Sequence, residues 1–206
     1  MMQGMNSSKP QYGYFLLADI SGFSSYLAGV ELEHAGGILQ KLLEGIARRI
    51  EPVFRVQDFD VDSVFAFVSE AGIRHFEELF RLVENTYVEF KGNLTEISNH
   101  ITCNCAACRD VTSLDLKFMV HYGEYILSNV QEQPMLHGLD PFFVRHRSWK
   151  EAVSASVNWR GYVLFTEPCL ASLHVAADEF QGEKFSQDQI SMFGLELKGK
   201  DSYYEN

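Results

Sequence analysis

The chain has 206 residues, 46% of them hydrophobic and 22% charged, enough for a folded α/β or α+β domain with a substantial core. Its formal net charge of −11 argues against a sequence-blind nucleic-acid binder, which needs lysine and arginine to displace counterions. No apolar run approaches the roughly 20 residues of a membrane span, and the polar residues 1–11 lack the basic-then-apolar order of a secretory leader. The expectation is a cytoplasmic protein with neither a membrane nor a nucleic-acid partner.

With no Pro- or Gly-rich linker and no repeat, the organisation reads as a flexible N-terminus over residues 1–12 and one domain over 13–206. Phe15-Leu16-Leu17-Ala18-Asp19 is a strand buried on both faces, leaving the core at Ser21-Gly22. Residues 31–50 carry Leu32, Ala35, Leu39, Leu42, Leu43, Ile46 and Ile50 in a helical stripe, with Pro52 just beyond. Residues 53–56 and 63–68 form a hairpin with the acidic connection Gln57-Asp58-Phe59-Asp60-Val61-Asp62. A second long helix covers 72–97, and residues 114–122 alternate as a half-buried strand. A third helix is expected over 142–156, a strand over 162–165, a short helix over 168–176 and a β-hairpin over 190–204. The order βαββαβ with extra C-terminal strands specifies an α+β fold with a ferredoxin-like core.

Three constellations carry chemistry. Asp19 ends the first strand and Asp62 opens the second arm of the hairpin. In a ferredoxin-like sheet these strands are neighbours. Two carboxylates brought together repel unless a cation lies between them, which points to an oxygen site for Mg²⁺ or Mn²⁺. The alternative is that Asp19 caps the next helix while Asp58, Asp60 and Asp62 solvate a turn. The second is His100-x-x-Cys103-x-Cys105-x-x-Cys108, whose thiols can converge on a structural Zn²⁺, with His100, His121 or Cys169 as fourth ligand. A redox pair, or plain reduced thiols in a loop, are the alternatives. The third is Arg145, His146, Arg147 and Lys150, either an anion site or a solvated surface with one ion pair to Glu151.

The segment Phe-Leu-Leu-Ala-Asp-Ile-Ser-Gly-Phe resembles the opening strand of class III nucleotidyl (adenylate/guanylate) cyclase catalytic domains. Asp62-Ser63-Val64-Phe65-Ala66-Phe67, His121-Tyr122-Gly123-Glu124, residues 138–147 and Leu197-Lys198-Gly199-Lys200 resemble later motifs of that superfamily in the same order. The Glu31-Leu32-Glu33-His34-Ala35 helix start, the Cys-x-Cys-x-x-Cys insert and His146-Arg147 are similar to a less characterised bacterial group within it. The resemblance implies metal ligation by Asp19, Asp62 and the Ile20 carbonyl, and transition-state stabilisation by Arg147 of a partner protomer in a homodimer. It also implies phosphate contacts from Lys198 or Lys200, on a nucleotide or other phosphorylated ligand.

The sequence departs from the cyclase pattern at four places. Val61 replaces the glycine before the hairpin aspartate, and Phe143 stands at the transition-state asparagine. Leu136 or Met135 stands where a residue would select the purine, and Val56, beside Arg55, where adenylyl cyclases place a base-selecting lysine. Losing one transition-state donor costs on the order of 10²–10³ in rate. The expected function is a cyclase-like domain with low or no cyclase activity. An inactive sensor module, and a metal-dependent phosphotransfer or hydrolytic enzyme on another substrate, are the alternatives.

Overall fold

The computed structural model describes residues 9–100, 105–130, 133–137, 146–187 and 190–199. Strand β1 (Gln11–Ser21) is apolar on both faces. Tyr14, Leu16, Ala18 and Ile20 join one hydrophobic cluster, whereas Phe15 and Leu17 join others. A strand buried this way needs a partner on each edge and a layer on each face. The edges are taken by β3 (Ser63–Ser69) and β4 (Asp115–Val130), both antiparallel to β1.

The hairpin partner of β3 is β2 (Arg55–Phe59), so the first four strands lie in the order β2-β3-β1-β4. Strand β5 (Gln133–His137) folds back on β4, and β6 (Tyr162–Thr166) pairs with β4 in parallel. Strands β7 (Glu183–Gln187) and β8 (Ile190–Glu196) complete an eight-stranded sheet.

Helices α1 (Phe23–Ala28), α2 (Leu32–Ile50) and α3 (Phe76–His100) follow the order expected of the split βαββαβ core. Ile38, Leu39, Leu42 and Ile46 of α2 and Leu79, Val83, Phe90 and Leu94 of α3 cover the face bearing Leu16 and Ala18. A short helix, α4 (Ala106–Asp110), precedes β4. The opposite face is covered by α5 (His146–Ser156), whose Trp149 and Val153 pack on Leu17, Met119 and Leu164. Helix α6 (Glu167–Ser172) follows β6, its first turn capped by the Thr166 hydroxyl, which accepts from the Cys169 N–H.

Three local expectations change. Residues 51–53 form a turn, with the Val53 and Phe54 N–H groups bonded to the Ile50 carbonyl, so the first hairpin arm begins at Arg55. Strand β4 is buried on both faces, because α5 covers the side expected to meet solvent: Met119 and His121 are as enclosed as Phe118 and Val120. Residues 190–196 are one strand whose hairpin partner lies upstream at 183–187, and residues 200–206 lie outside the described residues. The third helix is described over His146–Ser156, and residues 138–145, with Phe143 and the expected start of that helix, also lie outside the described residues.

Candidate functional site

Asp19 shares its face of β1 with Leu17, so its side chain points towards α5 and away from α1. The N-terminus of α1 has Gly22 at its cap and no side-chain cap, which removes the capping role for Asp19. The carboxylate is buried, and Lys150 of α5 donates from Nζ to its Oδ1. Its Oδ2 is buried with no hydrogen-bond partner among the described residues. Asp115 shows the contrast: its Oδ1 accepts from the Leu116 N–H at 2.9 Å, and its Oδ2 meets Lys91 at 3.1 Å and Arg160 at 3.5 Å. A buried carboxylate oxygen without a donor is costly. Asp19 Oδ2 is therefore a lone pair held ready for a cation or a donor.

The hairpin turn brings Asp62 to the same place. The Ile20 N–H donates to the Asp62 carbonyl at 2.8 Å, and Asp19 stands opposite Ser63 in the ladder. Asp58 and Asp60 spend their Oδ1 atoms on the next N–H in the chain, at 2.8 Å each, while the Asp62 carboxyl feels the charges of Asp19 and Lys150. Partial burial raises its pKa above the usual carboxylate range, the Asp19 charge adds to this, and Lys150 opposes it. Val61, 66% exposed, takes the glycine position without strain, since His174 is the one non-glycine residue at positive φ among the described residues.

Two more groups complete the cluster across the strands. Lys117 lies opposite Asp19 on β4, with Nζ 5.1 Å from the centre of the Tyr162 ring on β6. Burial lowers the Lys117 pKa and the Lys150 charge lowers it further, while Asp19 and Asp115 oppose the shift. The Tyr162 hydroxyl is buried without a partner among the described residues, and burial with the Asp19 charge pushes its pKa up. Two carboxylates, Asp19 and Asp62, thus share one cluster with two ammonium groups, Lys117 and Lys150.

Lys150, which the sequence groups with Arg145, His146 and Arg147 as an anion site or a solvated surface, is adjacent to Trp149 and three residues before Val153, on the apolar stripe of its helix, and pairs with Asp19. A lysine on an inward stripe requires an internal anion. Arg147 lies in the first turn of α5, but its side chain is outside the described residues. Lys198 is exposed just after β8, and Lys200 lies outside the described residues. Leu136 is buried with Phe15, Phe67 and Tyr125, and so fills space with apolar side chain where a base-reading group was sought.

The thiols form a separate cluster on the other side of the sheet. Cys105 Sγ is 3.2 Å from Cys108 Sγ and 3.2 Å from His34 Nδ1 of α2. The three ligand atoms lie within 4.8 Å of one another. Cys103 and the His100 side chain lie outside the described residues. His121 and Cys169 are not in this cluster: His121 Nδ1 is 3.0 Å from the Thr166 hydroxyl, and Cys169 is fully buried, its thiol pKa pushed up by burial.

The sequence model of DUF2652, a protein family of unknown function, matches residues 39–157, more than half of the chain. No curated protein matches the chain by sequence. Among solved structures, the chain is similar to a bacterial light-regulated adenylyl cyclase, with TM-score 0.61 and 16% identity over 90% of each chain. It is also similar to the adenylyl cyclase CyaB from P. aeruginosa, with TM-score 0.62 and 12% identity over 93% of this chain and 97% of that one. The guanylyl cyclase Cya2 matches with TM-score 0.61 and 14% identity, over 97% and 98%. At these identities the likeness establishes the fold, that of class III cyclase catalytic domains. Among the described residues no helix is long and apolar enough to cross a membrane.

Proposed function

Because this chain belongs to the DUF2652 family and has the fold of class III nucleotidyl cyclase catalytic domains, we propose that it is a divergent cyclase-like domain. In this reading it binds one divalent metal and a phosphorylated ligand, a nucleotide first among them, at a homodimer interface, with low or no cyclase activity. The observation that carries it is the Lys150–Asp19 ion pair beside Asp62. Asp19 Oδ2 and the Asp62 carboxylate are hard oxygen donors suited to Mg²⁺ or Mn²⁺. The Ile20 carbonyl is a further candidate, since its N–H already faces the Asp62 turn and both polar groups of a strand residue point the same way. A metal bound there would neutralise phosphate charge.

Lys150 holds the other cationic position. An ammonium can pair with a phosphate oxygen as a point charge, but it cannot lower the pKa of a hydroxyl as a metal ion does. Together with Phe143 and the packed Leu136, this supports ligand binding with little turnover. Lys198 or Lys200 is assigned to the phosphates, and Arg147 of a partner protomer to stabilising charge in the transition state. Phe59 and Val61, exposed beside Asp62, give the hairpin tip an apolar surface of the kind a second protomer covers.

Packing of Leu136 also favours the second reading, an inactive interaction module. Calorimetric titration with Mn²⁺ and ATP or GTP separates the two. Heat with Mn²⁺-triphosphate, abolished by Asp62→Asn, is the expected result. No heat with any triphosphate overturns nucleotide binding, and cyclic nucleotide produced at several turnovers per second overturns the claim of low activity.

A further inference from the structure

The thiol cluster is independent of the carboxylate site and draws its donors from two parts of the chain. His34 lies in the first turn of α2 and Cys105 is the N-cap residue of α4, 71 residues away. Cys108 lies inside α4 and is buried, Cys105 is half-buried and His34 is exposed. Two further contacts fix this approach. The Glu31 carboxylate accepts from the Ala107 N–H at 3.3 Å, and the Tyr26 hydroxyl donates to the Ala107 carbonyl at 2.8 Å. The segments carrying the three donors are therefore held together by bonds that do not involve the donors themselves.

We propose that His34, Cys105 and Cys108 bind a zinc ion that clips the start of α2 to α4. Two thiolates and an imidazole are the donor types of tetrahedral zinc sites. Zn–S bonds of about 2.3 Å place two sulfurs about 3.8 Å apart in a tetrahedron. The observed 3.2 Å is thus about half an ångström short of the zinc-bound spacing. It is more than an ångström longer than the roughly 2.05 Å of a disulfide. The ligand atoms need only a small outward movement to receive the ion. His34 and Cys108 both line the cleft between α2 and α3, which gives an ion a path from solvent. Binding converts both thiols to thiolates and releases their protons. The fourth tetrahedral position is left to a further donor. The consequence is structural: without metal, a five-residue helix is too short to hold itself, and α4 is anchored by its hydrogen bonds to Tyr26 and Glu31 and its packing on the core.

The test uses the full chain purified under reducing conditions. Elemental analysis should give about one zinc per chain. Cobalt substitution should give thiolate-to-cobalt charge-transfer absorption in the near ultraviolet and the intense visible bands of a tetrahedral ion. His34→Asn should lose the metal to a competing chelator at least about tenfold more readily than wild type, and Cys105→Ser and Cys108→Ser should not retain it. His34→Cys, which supplies another zinc donor, should keep the tetrahedral cobalt spectrum, so a folding defect in His34→Asn does not decide the question. Three results overturn the proposal: neither zinc nor cobalt is taken up; the intact mass is lighter by two hydrogens, with Cys105 and Cys108 joined; or His34→Asn keeps the metal while His100→Asn loses it.

Discussion

Replacing Lys150 with methionine removes the ammonium while keeping most of the apolar stem, so the perturbation falls on Asp19. The Asp19 side chain is 4% exposed and that of Lys150 is 24% exposed. Removing one partner of a buried ion pair costs about 3–5 kcal/mol, because the other charge is left without compensation. Lys150 reaches solvent, so the lower end applies, about 3 kcal/mol. For a chain of this size each kcal/mol moves the melting temperature by about 2–4 °C, which gives a fall of roughly 6–12 °C. Asp19→Asn in the Lys150→Met background removes the stranded charge and should recover most of the loss, with a coupling of about 2 kcal/mol or more in the double-mutant cycle. Thermal melts of the four proteins at pH 7 measure this. Mn²⁺ should also raise the melting temperature of Lys150→Met more than that of wild type, since a cation now has a vacant place to fill. A Lys150→Met protein that melts within about 1 °C of wild type, or a double variant no more stable than the single one, refutes the reasoning.

Asp62 gives a pH prediction. Its folded-state pKa is raised by burial and by Asp19, so its contribution to stability is full below its unfolded value and is lost as pH rises through the folded value. Asp62→Asn should therefore melt higher than wild type at pH 7, with the gain shrinking as pH falls below the usual carboxylate range. A gain that persists or grows in acid contradicts this. Trp149→Ala removes the side chain that seats α5 on the sheet. It should cost about 3–5 kcal/mol in denaturant unfolding and weaken Mn²⁺-triphosphate binding in calorimetry; unchanged stability would mean α5 does not hold Lys150 in place. Coupled assays for cyclic AMP and cyclic GMP should detect no rapid turnover with either Mg²⁺ or Mn²⁺.

The parts of the fold that were legible are those in which one periodic face meets one layer. Helices α2 and α3 announced themselves through their stripes, and β1 through apolar residues on both faces. The approach of Asp19 to Asp62 followed from strand order alone, because a hairpin that pairs beside β1 must bring its turn to the end of that strand. Strand β4 misled because its alternation reads as one wet face, whereas α5 covers that face with Trp149 and Val153. The first arm of the hairpin started late because the chain needs a turn at residues 51–53 to leave α2, burying Phe54 before pairing begins.

Lys150 and His34 both reach their partners from a distance along the chain. Lys150 is separated from Asp19 by 131 residues, and its place on the Trp149–Val153 stripe was the available signal. His34 is 71 residues from Cys105. Local spacing favoured His100, whereas the approach of α4 to α2 depends on Tyr26 and Glu31, whose bonds to Ala107 no spacing rule reports.

The central claim is that an internal ammonium and one metal ion share the place of a metal pair. Anomalous diffraction at the manganese edge, from crystals grown with Mn²⁺ and a non-hydrolysable triphosphate, tests it most directly. One manganese peak between Asp19 and Asp62, with Lys150 still bonded to Asp19, is the expected result. Two manganese peaks with Lys150 displaced would contradict it.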